Sequence, residues 1–462
     1  MLFSSSYKTG CCPPAQTKAQ ATQVGHLRKA LFRLIWITSC RLILLAVLSA
    51  GLILPCTTDV TTAGAKGDDS TDNTLVLQKI FDTIRTNTTA CRSVYFPTGI
   101  YRITRQLTVD LGSISIYGDS SSSSSIKQMS ANTGILIWLN EGPYATQIYV
   151  HDLAFENANW PSAVTTQQWA LRFQCTPSGA GGTQLGYWLN HFERLQINSV
   201  YIGVGTFTQP GGGCPFWSSS FRDIEFYQIQ HSAIAMAPSV GSTGPSDVFD
   251  RIDILNHGNV LRSDGPAVQV WASHGLVLRA INIEDWYNSA YDLRGGGGTV
   301  IDAPRFERHH FTNTWGNATP NLFYLGNNDF TVRAMDIDMI EASQSGIASI
   351  FALGAGSLNV SGVYAHQTLP QTNIMMFRGD PNTAKVNYQN LVLNQQIYEY
   401  LPSIWGNDLY NRVQFDGHAP MVDKLPVAGP AYSQRTFAIS TATGDVTYRC
   451  VKTATGYAWQ VN

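Results

Sequence analysis

Charge is scarce in this 462-residue chain. Asp, Glu, Lys and Arg make up only 13% of it, and the formal net charge is −2. A nucleic-acid partner needs a basic footprint, so that class is excluded. The eight cysteines are Cys11, Cys12, Cys40, Cys56, Cys91, Cys175, Cys214 and Cys450. None forms a CxxC pair, which argues against a zinc site. No glycine run is followed by Lys-Ser/Thr, so a phosphate-binding loop is not supported. Neither HExxH nor a Ser–His–Asp order is visible.

Long apolar runs are also few. Residues 34–56 hold the one marked stretch, and Arg41 interrupts it, leaving 15 apolar or small residues at 42–56. That is short for a membrane span if counted from Leu42, and about right from Leu34. Behind the basic leader of residues 1–33 (His26, Arg28, Lys29, Arg33), it reads as the core of an export signal. An uncleaved N-terminal membrane anchor and an over-long reading frame are the alternatives. Export places the protein outside the cell, on its surface or in a periplasm. A Cys175–Cys214 disulfide would suit that oxidising setting.

What the chain does have is a repeat. The spelling apolar-x-x-apolar-x-apolar occurs at Val150/Leu153/Phe155, Phe192/Leu195/Ile197, Phe221/Ile224/Phe226, Phe249/Ile252/Ile254 and Leu278/Ile281/Ile283. It continues at Ile301/Pro304/Phe306, Val332/Met335/Ile337, Val360/Val363/Ala365 and Tyr388/Leu391/Leu393. Most steps are 28 or 29 residues, and the 42-residue first step carries Gly179–Gly182. A fixed period means stacked supersecondary units. The final i, i+2 pair is strand alternation, not a helical stripe. No single strand can bury its own face, so the copies must stack, about 4.8 Å apart. The spacing predicts a single-stranded, right-handed parallel β-helix over residues 107–395. The copy at Ile301 is the weakest, since Pro304 cannot donate to a central ladder.

Ahead of the repeat, residues 57–106 read as a cap. Gly64-Ala65-Lys66-Gly67-Asp68-Asp69-Ser70-Thr71-Asp72-Asn73-Thr74 precedes helical spacing at Leu75, Leu77, Ile80, Phe81 and Ile84. Thr71 or Asp72 is the expected helix N-cap. Phe96-Pro97-Thr98-Gly99-Ile100-Tyr101 follows as a strand–turn–strand. Together these two stretches resemble the opening of the pectate-lyase-like superfamily, whose members share the β-helix. The matching positions are Gly64, Ala65, Gly67, Asp68, Asp72, Thr74, Phe96, Pro97, Gly99 and Tyr101. Ala63, Asp69 and Asn73 depart from the pattern. The resemblance implies the fold; the superfamily spans lyases, hydrolases, epimerases and phage tailspikes. The Asp-rich text lacks calcium-loop spacing, so Asp68, Asp69 and Asp72 are expected to shape a turn. Residues 396–462, with Pro402, Pro420, Pro426 and Pro430, read as a linker and a small C-terminal β cap.

Chemistry is sought on outward positions of the repeat. One column reads Gln196, Glu225, Asp253, Asn282, Arg305 and Asp336; another reads Glu193, Arg222, Asp250, Arg279, Asp302 and Arg333. Adjacent carboxylates about 5 Å apart suit glycosidic-bond cleavage, and their proximity drives two pKa values apart. Glu225 and Asp253 are the expected acid–base pair, with Asp223 and Asp250 close by. Arg222, Arg251 and Arg279 are the expected uronate-binding cations, and Trp217, Trp271 and Trp286 the sugar platforms. Simple neutralisation of an exposed sheet is the competing reading. Arg305–His310, with Glu284 and Asp285, is a second cluster, in which His309 and His310 must face opposite ways. Asp336, Asp338 and Glu341 are a third.

The sequence therefore points to an exported enzyme that cleaves a polysaccharide by hydrolysis or elimination. It needs no cofactor; a lyase would add calcium. A trimeric tailspike-like depolymerase and a non-catalytic carbohydrate-binding β-helix are the rivals.

Overall fold

A computed structural model describes residues 56–462 apart from 88, 110–111, 141–144, 160–167, 176–185, 207–215, 237–243, 257–262, 272, 296, 312–320, 343–347, 369–373, 380–383, 394–424, 426–427, 429–432, 434–435 and 442–443. The leader, the apolar stretch at 34–55 and Cys214 lie outside the described residues. Among the described residues, no helix is long and apolar enough to cross a membrane.

Each repeat copy is a bent strand. Tyr149–Asn157, His191–Asn198, Ser220–Tyr227, Val248–Leu255 and Val277–Glu284 pair side by side, all parallel, within a 17-stranded first sheet. The register aligns Val150, Phe192, Phe221, Phe249 and Leu278 one above another. A 10-stranded second sheet takes the return strand of each coil, such as Trp169–Cys175, Ile202–Thr206, Ser232–Met236 and Val268–Trp271. The apolar triplets fill the space between them: Phe221, Ile224 and Phe226 are each 1% exposed. Phe192, Phe221 and Phe249 stack ring on ring, with centroids 4.8 and 4.5 Å apart. This is the parallel β-helix the spacing predicts.

The odd spacing inside each triplet has a backbone cause. The third position of every copy from Asp152 to Gly362 sits in the left-handed region: Asp152, Arg194, Asp223, Arg251, Ala280, Ala303 and Ala334 have φ between 50 and 54°, and Gly362 has φ 69°. One left-handed residue turns the strand, so the apolar residues on both sides of the bend point inward despite the two residues between them. The weak copy obeys the same rule. Thr299–Asp302 and Arg305–Glu307 form separate short strands around Ala303 and Pro304, and both stay in register with Val277–Glu284.

Alanine gains nothing from this backbone, where the left-handed form costs about 1–2 kcal/mol. Replacing Ala280 by Gly removes that cost and adds back about 0.5–1 kcal/mol of unfolded-chain freedom. Ala280→Gly is expected to stabilise by about 0.5–1 kcal/mol, read as a higher urea midpoint; a lower midpoint would contradict the bend assignment.

The cap is built by side chains binding backbone. Helix α1 (Thr74–Thr86) buries Leu77, Ile80, Phe81 and Ile84. Its N-cap is Asn73, not Thr71 or Asp72. The buried Asn73 side chain instead clamps the preceding turn, accepting from Lys66 N at 2.7 Å and donating to the Lys66 and Thr71 carbonyls. Asp72 supplies the oxygen that Asn73 does not, accepting from Thr74 N at 3.0 Å. Asp68 accepts from the amides of Ser70 and Thr71, which hold its carboxyl well below the usual range. The Asp-rich text is thus a turn. Gly99 is forced by crowding: a Cβ there would lie 2.7 Å from the Gly67 Cα, and its φ is 151°.

Strand Leu107–Val109 ends the second sheet, with a single strand partner. Gln78 of α1 covers its other edge, donating to Thr108 O at 3.0 Å and accepting from Thr108 N at 2.9 Å. Gln78→Leu loses both bonds, at about 2 kcal/mol. Amide exchange at Thr108 should accelerate in that variant before any other strand of the sheet; unchanged protection would deny the capping role.

Nearer the C-terminus, Thr436–Thr441, Gly444–Thr453 and Gly456–Val461 form an antiparallel three-stranded sheet. Cys56, Cys91 and Cys175 are disulfide-bonded.

Candidate functional site on the outer face of the first sheet

The two outward columns form as the register requires, yet most of their charges are already engaged. Glu193, Arg222, Asp250 and Arg279 align on successive strands, then Asp302 and Arg333. The left-handed bend residues stand beside them and bridge rungs. Arg194 grips Asp152 through two bonds of 2.6 and 2.9 Å and also reaches Glu193 at 2.8 Å. Arg251 holds Asp223 at 2.6 and 2.8 Å and touches Asp250 at 2.8 Å. Arg279 holds Asp250 at 2.8 and 3.0 Å.

These contacts fix protonation. Hydrogen bonds from Arg194, Arg251 and Arg279 hold the carboxyls of Asp152, Asp223 and Asp250 below their ordinary range. Asp223 and Asp250, expected near the reacting bond, therefore serve as anchors for arginine and stay ionised. Arg251 and Arg279, expected to meet a uronate, are turned onto those carboxylates. For this part of the face the neutralisation reading fits better. Arg222 makes no ion pair among the described residues and remains exposed.

Glu225 and Asp253 stand outside this ladder. They are direct partners on adjacent strands. Neither has an ion-pair partner among the described residues. Glu225 accepts a hydrogen bond from Tyr227 at 3.2 Å. Burial, reinforced by the Glu225 charge, pushes the Tyr227 phenol up, so it stays a donor. Gln196 and Asn282 flank the pair in the same column. The pair thus has neutral neighbours within its column, while the bend column beside it carries ion pairs.

The three tryptophans separate. Trp286 is completely buried, its Nε1 donating to Gly265 O at 3.0 Å, and Trp217 is 5% exposed. An enclosed indole offers no face to a sugar, so both are packing residues. Trp271 lies on the second sheet, on another face from Glu225. The second cluster also divides: His309 is buried, and its neutral form is favoured by burial, whereas His310 stacks on Tyr287 at 4.2 Å and meets Asp285 at 3.4 Å. Both sit on a strand, His309–Phe311. In the third group, Asp336 is engaged by Arg305 at 3.8 Å. Among the described residues no group of three or more His, Cys, Asp or Glu is arranged to hold a metal ion.

Sequence reasoning missed the aromatic start of the outward column. Tyr95, Tyr117 and His151 precede Glu193 in register and stack with centroids 5.2 and 5.0 Å apart. His151 Nδ1 donates to Asp152 Oδ2 at 2.6 Å. The Tyr149 hydroxyl donates to Glu193, and that of Tyr95 to Asp119. The signal was available: Tyr95 and Tyr117 each follow an inward aliphatic residue, Val94 or Ile116, as Glu193 follows Phe192.

Residues 57–167 match the family described as Rhamnogalacturonase A/epimerase, pectate lyase-like. No curated protein matches the sequence. Among solved structures, the chain is similar to DFA-IIIase from Arthrobacter chlorophenolicus A6 without its lid, at 11% identity and a TM-score of 0.49, covering 73% of this chain and 100% of that one. The tailspike of Acinetobacter phage vb_AbaP_AS12 shares 10% identity at a TM-score of 0.45, covering 89% and 82% respectively. The mannuronan C-5 epimerase A-module of Azotobacter vinelandii shares 13% at 0.39, covering 73% and 100%. The family match spans both motifs of the cap, and with the coil architecture it bears out the likeness to the pectate-lyase-like β-helix superfamily.

Proposed function

We propose that this protein is an exported, polysaccharide-active enzyme that cleaves glycosidic bonds on the outer face of the first sheet. One observation carries the reading: Glu225 and Asp253 oppose each other one rung apart, and among the described residues no arginine pairs with either. A carboxylate pair without a cation partner can divide the work of acid and base. Tyr227 steadies Glu225, and exposed Arg222 is the nearby cation able to meet an acidic sugar. The disulfide-bonded cysteines fit an oxidising compartment.

The test is a screen of the full chain against uronate and neutral polysaccharides. New absorbance from an unsaturated uronate marks elimination; reducing ends without it mark hydrolysis. Absence of both products on every polymer would sink the enzymatic reading and leave a binding protein.

A further inference from the structure

A second outward-facing group lies on the second sheet, away from Glu225 and Asp253. Strands Val268–Trp271, Tyr291–Arg294 and Asn321–Leu325 are successive neighbours there. Their inward residues, Val268, Val270, Tyr291, Leu293, Phe323 and Leu325, belong to the core. The alternate residues face out, and the register sets Trp271 beside Arg294 and Asp292 beside Tyr324.

Arg294 is fixed there on three sides. Its guanidinium lies 4.8 Å from the Trp271 ring centroid and 4.7 Å from that of Tyr324. Asp292, 3% exposed, accepts from its Nε at 2.7 Å and its Nη2 at 2.9 Å. A planar cation held by a carboxylate fork and two rings has lost its freedom before any ligand arrives. Its Nη1 makes no hydrogen bond among the described residues, and the side chain is 46% exposed. Tyr324 is 37% exposed and offers ring surface beyond the cation.

We propose that Trp271, Arg294 and Tyr324 form a saccharide-binding subsite that holds polysaccharide away from the cleaving pair. Tyr324 takes the apolar face of one sugar ring. The Arg294 guanidinium, backed by the Trp271 ring, donates to its hydroxyl oxygens. Asp292 cancels the charge of Arg294, so a uronate gains no net attraction there and the preferred sugar is neutral. The inference rests on the polysaccharide reading of the protein, but not on Glu225 or Asp253.

The experiment is affinity electrophoresis of the full chain through gels holding galactan, xylan or mixed-linkage glucan, with polygalacturonate and alginate as acidic counterparts, at low and high salt. Retardation by a neutral polymer is expected, insensitive to salt. It should fall about tenfold in apparent affinity in Tyr324→Ala and in Arg294→Lys, which keeps the charge but not the planar stack. Tyr324 is exposed, so its variant tests the site even where the Arg294 variant fails to fold. The proposal is overturned by parent-like retardation of Tyr324→Ala, by retardation only in acidic gels and only at low salt, or by no retardation in any gel. Inactivity of the Glu225 and Asp253 variants bears on cleavage alone, since those variants should still be retarded.

Discussion

Glu225→Gln and Asp253→Asn each lower turnover on the cleaved polysaccharide by about 10²–10⁴-fold, the range for a lost acid–base group, with the melting temperature unchanged. The contrast is with their neighbours. Asp223→Asn and Asp250→Asn release Arg251 and Arg279 from their carboxylate forks, so they lower stability, and activity falls only as folding does. The rung spacing of about 4.8 Å is close to the ~5 Å separation of retaining glycosidases. A hydrolase working through this pair should therefore release sugar with its anomeric configuration kept, visible by NMR in the first turnovers. Full activity in either single variant would remove the pair from the chemistry.

The second large effect is a pair of opposed pH dependences. Asp247 is buried, and burial pushes its carboxyl up to about 7, against one hydrogen bond from Ser219 N at 2.9 Å. Between about pH 4 and 7 the folded chain keeps this proton while the unfolded chain has lost it, so stability falls as pH rises. Ionisation at Asp247 costs about 4 kcal/mol above pH 7. His309 works the other way. Burial lowers it to about 3, so below about pH 6.5 the unfolded chain binds a proton that the folded chain refuses, and stability falls as pH drops. In the parent the two slopes nearly cancel between about pH 4 and 6.5.

Single replacements expose them. Asp247→Asn keeps the oxygen for Ser219 N. It should be more stable than the parent by about 4 kcal/mol at pH 8, and lose about 1.4 kcal/mol per pH unit on acidification below pH 6.5. His309→Leu should show the reverse slope. Denaturant melts across pH 4–8 measure both, and parallel curves for parent and variants would refute the assignment.

Much of the fold could be read from the chain because apolar spacing is a direct record of which side chains face inward. The bend at each rung was hidden, since Asp, Arg, Ala and Gly all occupy it and no composition rule marks it. Glu225 and Asp253 were legible as a pair because register follows from the repeat. Their neighbours' roles were not, because an arginine's choice of partner depends on a backbone turn that places Arg251 against Asp223. Trp286 and Trp217 were misread for a related reason: residue type alone does not say whether an indole packs inward or faces out, and both prove buried. The helix cap at Asn73 escaped because its side chain serves the turn behind it rather than the helix ahead.

The Gln78 bridge has a consequence for how copies of this chain behave in company. A stack of parallel, in-register rungs is a surface on which another such stack can grow, since its last strand presents unpaired amides and carbonyls at the repeat distance of a cross-β fibril. One glutamine, occupying Thr108 from the helix, covers that template at the N-terminal end of the second sheet.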